Sequence, residues 1–257
     1  MKFRFILIIL IFLSAFSLSS CSGSKKLKNM TVKERLEHAK KLFDDGKYFE
    51  AKNQFQILIL NNPGSRIIDE AQFYYAETFF ASKEYITAAA EYERLINRYP
   101  NSEYLDDSSY KIGYSYFKLS PKAQLDQKYT YQALDYFQQF IDEFPNSEHV
   151  KDVTDKLQAC RTKLAQKEYA TGILYKKGRH YNAAIISFDE ILKKFYDTKY
   201  AEPSLYWKAY CHYEVAEPNK ARDSINILLK KYPKTDLKVK AKELAGKIAI
   251  DLEKPKN

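Results

Sequence analysis

Glycine and proline are scarce in this chain of 257 residues, with only 7 and 8 of each. That argues against a β-sandwich or barrel, where every hairpin needs its own breaker. Three cysteines are too few for a disulfide framework. There is no phosphate loop, no His-Glu-x-x-His, no Cys-x-x-Cys and no Gly-x-Ser-x-Gly. The four histidines (His38, His149, His180 and His212) are scattered along the chain. We therefore expect no catalytic residue, no metal and no cofactor beyond a covalent lipid. What the chain has in plenty is aromatic: 22 Tyr and 16 Phe, far too apolar a composition for a disordered polypeptide.

The first twenty residues read as a segment apart from the fold. Lys2 and Arg4 precede an apolar run from Phe5 to Phe16, which is too short for a transmembrane helix of roughly 20 residues. Leu18-Ser19-Ser20-Cys21 then resembles the lipobox of bacterial lipoproteins. The resemblance implies cleavage before Cys21, acylation of that residue, and a membrane attachment at about 0.8 kcal/mol per buried methylene. The alternative is an ordinary signal peptide followed by an unmodified cysteine. Lys25, Lys26 and Lys28 follow, either against anionic headgroups or as a solvated tether over 21–30. The +9 balance falls to about +7 once Lys2 and Arg4 are lost. For an exported lipoprotein it does not point to nucleic acid.

Self-comparison shows a repeat. Five tails align: Asn62-Pro63-Gly64-Ser65, Tyr99-Pro100-Asn101-Ser102, Phe144-Pro145-Asn146-Ser147, Phe195-Tyr196-Asp197-Thr198 and Tyr232-Pro233-Lys234-Thr235. Twelve residues before each Pro, or before Tyr196, stands Ala51, Ala88, Ala133, Ala184 or Ala221. Bulky residues follow at +4 (Phe55, Tyr92, Phe137, Phe188, Ile225) and +7 (Leu58, Leu95, Phe140, Ile191, Leu228), one face of a helix. Twelve residues before the alanine lies Ala39, Ala76, Gly172 or Ala209, and in the third unit Gly113, displaced by an insertion of eight. The grid resembles the tetratricopeptide repeat. The small residues would sit where paired helices approach closest, the proline would end the second helix, and the following Ser or Thr would cap the next one. A single hairpin cannot bury its face alone, so the units stack.

The expected fold is all-α: a right-handed superhelical solenoid of five hairpins over approximately 31–65, 66–102, 103–147, 148–198 and 199–235, eleven helices in all with a capping helix over 235–252. The domain spans 31–257, after a signal peptide over 1–20. The insertion of eight falls around Ser120 to Tyr129. A second insertion, of fourteen, extends a helix expected from Glu148 to Lys177. The grid also asks for a small residue at 246, where Gly246 stands. Cys160 and Cys211 fall at repeat positions too far apart to bridge, and read as free, partly buried thiols.

Counted from the small residue, offsets of −3, +1 and +4 should point into a groove lined by the first helices. They carry Phe73, Tyr110, Tyr169 and Tyr206; then Tyr114 and Tyr210; then Phe43, Phe80, Phe117 and Tyr213. This is more aromatic surface than hairpin closure needs. It suits either a peptide groove or contact between neighbouring repeats.

Three further runs resemble the BamD family, tetratricopeptide lipoproteins of the outer-membrane β-barrel assembly machinery. They are Asp126-Gln127-Lys128-Tyr129-Thr130 with Ala133, then Leu164-Ala165-Gln166-Lys167-Glu168, then Gly178 through Tyr181, Ala183 and Ala184 to Phe188. The resemblance implies a periplasm-facing, lipid-anchored outer-membrane scaffold. Its partners would be the central barrel-forming subunit at its C-terminal repeats, unfolded outer-membrane proteins at its N-terminal repeats, and accessory lipoproteins of the machinery. A periplasmic repeat scaffold for cell-wall synthesis, secretion or gliding is the alternative.

Overall fold

The computed structural model describes residues 30–253. Among these are eleven α-helices and no strand. In chain order they are α1 (Val32–Asp44), α2 (Tyr48–Asn61), α3 (Ile68–Ala81), α4 (Tyr85–Arg98), α5 (Leu105–Leu119), α6 (Lys128–Glu143), α7 (Val150–Lys177), α8 (Tyr181–Lys194), α9 (Ala201–Glu214), α10 (Pro218–Lys231) and α11 (Lys238–Glu253). The first ten form five hairpins, and α11 follows alone. The signal peptide, Cys21 and nearly all of the tether lie outside the described residues.

The chain divides into two compact units between Ser108 and Ser109, within the span of α5. In the first unit, Leu36, Ala39, Ala51, Phe55, Leu58 and Ala71 form one apolar cluster. The second unit holds three clusters in succession: Phe137 and Phe140 with Val153 and Cys160; Leu164 and Phe188 with Cys211; and Tyr206 and Ile225 with Leu244 and Ile248. The 28 residues of α7 serve two of them. Its first half packs on α6 and its second half on α8, so the insertion of fourteen is spent on covering the preceding hairpin.

The close-approach grid has a direct structural cause. All eight of its alanines are fully buried, and so are Gly113 and Gly172. A Cβ on Gly113 would lie 2.7 Å from the Phe137 ring, and one on Gly172 would lie 2.7 Å from the Phe188 ring. The bulky residues at +4 fill the space the small ones leave: Phe55, Tyr92, Phe137 and Phe188 are wholly inaccessible. Gly246 departs from the expectation. It is exposed, and an added Cβ there would meet nothing within 4 Å. No second helix follows α11 among the described residues, so the slot has nothing to accommodate.

Cys160 and Cys211 are free thiols, as expected, but fully rather than partly buried. Burial pushes each thiol up to about 12, which keeps them protonated and unreactive at neutral pH.

The turns correct a second expectation. Among the helix N-caps described, Thr31 alone caps by its side chain, in a reciprocal capping box with Glu34. Ser102, Ser147 and Thr235 instead accept from the backbone N–H two residues on, which shapes the turn. Ser102 and Thr235 also donate backwards. Ser102 reaches Asp69 at 2.7 Å and Thr235 reaches Glu202, each on the second residue of the preceding hairpin's first helix.

Candidate protein-binding surface

The −3 aromatics are accounted for first. Each is covered by the residue that enters the next hairpin, 31 positions later, or 39 where the insertion of eight intervenes. Phe73 stacks on Tyr104 at 4.7 Å, Tyr110 stacks on His149 at 4.4 Å, and Tyr169 lies 5.4 Å from Tyr200. Tyr206, with Leu237 packed against its cluster, is only 9% exposed. It belongs to the core between α9, α10 and α11, not to a groove. These four positions are therefore spent chiefly on contact between neighbouring hairpins. The Tyr110 hydroxyl also donates to Asp152 at 2.8 Å. Sequence spacing missed the partner rings because each pair joins a helix to a distant turn. The signal was there in the recurrence of Tyr104, His149 and Tyr200 two residues after the repeat's tail hydroxyls Ser102, Ser147 and Thr198.

The +1 and +4 positions are all part-buried, as Phe73, Tyr110 and Tyr169 are. In the first unit, Phe43 packs edge-on against Tyr74 at 5.9 Å, and Phe80 against Tyr85 at 5.2 Å. Both are half-buried. In the second unit, Tyr114 stacks on Tyr110 at 5.6 Å and lies 6.3 Å from Phe117. The ammonium groups of Lys118 and Lys156 each sit 4.8 Å from its ring, and Lys156 pairs with Asp152 at 2.5 Å. That carboxyl is held below the usual aspartate range by the Lys156 and Tyr110 hydrogen bonds, which outweigh the opposing effect of burial.

A second cation–aromatic patch surrounds Tyr210. The Lys176 ammonium lies 3.6 Å from the centre of the Trp207 ring and 6.0 Å from that of Tyr210. Trp207 donates from Nε1 to the Tyr169 hydroxyl at 3.0 Å. A hydrogen bond to Glu214 and burial push the Tyr210 phenol up to about 12. Tyr213 is half-buried against the last cluster. Trp207, the chain's single tryptophan, was not singled out by the offset pattern, because it lies two residues before Ala209.

Each unit thus carries half-buried rings, and in the second unit lysines lie over their faces. Such rings offer rigid contact area at low entropic cost, and the lysines offer charge. No group of three or more His, Cys, Asp or Glu among the described residues could hold a metal ion.

No curated protein matches the chain significantly. Among solved structures, it is similar to the TPR domain of P58(IPK), with 21% identity and a TM-score of 0.42, covering 86% of this chain and 55% of that one. It is also similar to the TPR2AB domain of yeast Sti1 in its pHSP90 complex, with 15% identity and a TM-score of 0.44, covering 86% and 84%. A tetratricopeptide repeat protein from Parabacteroides merdae has 14% identity and a TM-score of 0.37, covering 86% and 73%. The family model of the YfiO outer membrane lipoproteins matches residues 28–227, from just before α1 to within α10. The chain accordingly belongs to the BamD-like YfiO family of outer membrane lipoproteins.

Proposed function

We propose that this protein is the lipid-anchored, periplasm-facing scaffold of an outer-membrane β-barrel assembly machine. Cys21 carries the lipid, the aromatic faces of the first helices receive unfolded outer-membrane proteins, and the C-terminal hairpins dock on the central barrel subunit. The family match supports the compartment. The observation that carries the binding role is the half-exposed +1 pair, Tyr114 and Tyr210, each with lysine close to its ring. The −3 rings contribute less, because neighbouring hairpins already cover them.

The test follows from that distinction. A chain beginning at residue 22 keeps every described helix. Titrated with a fluorescent peptide copying an aromatic-rich C-terminal strand of an outer-membrane protein, its Tyr114→Glu and Tyr210→Glu variants should each bind at least tenfold more weakly. Unchanged affinity in variants with wild-type circular dichroism would overturn the substrate role. Recovery of no periplasm-domain barrel protein with the full-length chain from solubilised membranes would overturn the assembly role.

A further inference from the structure

The insertion of eight builds a groove that none of the aromatic positions lines. Its wall is the α5–α6 connection and its floor is one stripe of α7. A cavity of about 760 Å³ opens between Ser120–Gln124 and the α7 face from Asp155 to Gln166. A second, of about 230 Å³, continues it past Ala170 to Leu174, sharing Ala123, Gln124 and Gln166 with the first. From Asp155 to Leu174 the floor rises over 19 residues, about 28 Å at 1.5 Å per residue.

The wall is pre-built. Gln127 donates to the carbonyls of Lys122 at 2.9 Å and Leu125 at 3.1 Å. Thr130 donates to the Gln127 side chain at 2.7 Å and lies 2.6 Å from the Ser120 hydroxyl. From α7, Lys163 donates to Ser120 Oγ at 2.7 Å and Lys167 to the Leu125 carbonyl at 2.9 Å. The loop therefore need not be ordered when a ligand arrives, which removes one cost of binding.

Part of the polar lining is unspent. Gln124, Thr162 and Gln166 make no side-chain hydrogen bond among the described residues, and Ala159 and Ala170 leave the floor low between them. Thr162, Gln166 and Ala170 recur every four residues, a rise of about 6 Å. An extended polypeptide repeats every two residues at about 6.7 Å. The two periods stay in near register over a few repeats, so alternate backbone amides of a bound strand can meet the Thr162 and Gln166 side chains. Charge selects among strands. Lys122, Lys163 and Lys167 pair with no carboxylate among the described residues, and the single acid of the lining is Asp155. Exposed Leu174, 69% accessible, closes one end with an apolar contact.

We propose that this groove is a binding site for an extended, acidic segment of a partner polypeptide, about eight residues long. It is separate from the aromatic faces and does not depend on the function proposed for them. The probe is a fluorescein-labelled nonapeptide of alternating threonine and glutamate ending in leucine, titrated into the full-length protein in detergent and read by anisotropy. Saturable binding is expected. It should weaken at least tenfold when lysine replaces glutamate in the peptide, and tenfold or more in Ala159→Trp, which fills the exposed floor. Should Ala159→Trp lower the melting temperature, the exposed-site double variant Lys122→Glu with Gln166→Ala carries the same expectation. Three results would overturn the proposal: no binding of the acidic peptide, equal binding of the lysine peptide, or undiminished binding by these folded variants. Selective binding of anionic phospholipid vesicles in place of the peptide would also overturn it.

Discussion

At the residue scale, the three helical glycines separate two effects that oppose one another. Replacing glycine by alanine in a helix gains about 1 kcal/mol of propensity. At Gly113 and Gly172 the new Cβ would stand 2.7 Å from a buried phenylalanine ring, and overpacking of that kind costs roughly 1–3 kcal/mol. Gly113→Ala and Gly172→Ala should therefore lower the urea midpoint, while Gly246→Ala should raise it, for a gain in stability of roughly 0.5–1 kcal/mol. Equal stabilisation by all three would mean the rings move aside freely. The small positions were legible because helix approach depends on side-chain volume, and a volume constraint leaves a mark at fixed spacing. Gly246 was misread for the same reason: spacing marks the slot and does not report whether a second helix fills it. The rings covering Phe73, Tyr110 and Tyr169 were illegible from either partner alone.

At the element scale, four hairpin turns share a left-handed residue two positions past the first helix. It is glycine at Gly46, with φ of 74°, but Lys83, Arg179 and Ala216 hold φ of 64°, 60° and 58°. Each closes the helix by the same pair of bonds, as Ala216 N–H to the Tyr213 carbonyl at 3.1 Å and Glu217 N–H to the His212 carbonyl at 2.9 Å. A left-handed non-glycine residue costs roughly 1–2 kcal/mol, less the extra entropy glycine loses on folding. Ala216→Gly should thus stabilise the protein by roughly 0.5–1 kcal/mol in thermal denaturation. The turn lacking proline is held differently. Arg161 on α7 grips Asp197 at 2.8 and 2.6 Å and the Lys194 carbonyl at 2.6 Å. The guanidinium holds the Asp197 carboxyl below its ordinary value of 3.8. A depressed carboxyl stabilises the fold above its unfolded value, and that contribution is lost as pH falls through the folded one. Asp197→Asn should cost about 1 kcal/mol at neutral pH. The gap to wild type should close as denaturation is measured below pH 3.8. A gap that persisted there would assign the clamp to packing. Sequence marked this turn by its missing proline. It could not show the replacement, because Arg161 lies 36 residues away on another helix.

At the scale of the whole molecule, the decisive property is that within each unit helices touch their neighbours in the chain. The principal helix contacts join consecutive elements, and the longer-range ones reach the next but one, as α9 to α11. Stability in such a stack is close to a sum of hairpin and interface contributions. That bears on function, because a binding surface spread over several hairpins can loosen at one without losing the others. The last cluster tests it. Ile225 is 1% exposed on α10, among Tyr206, Leu244 and Ile248. Ile225→Val should cost about 1 kcal/mol. If the second unit opens in pieces, amide hydrogen exchange should quicken roughly fivefold in the buried parts of α9, α10 and α11. Exchange in α6 and the first half of α7, which pack through Phe137, Phe140 and Val153, should stay at the wild-type rate. Uniform acceleration through the unit would show that it unfolds as one body, and that ligand contacts at any hairpin are felt by all.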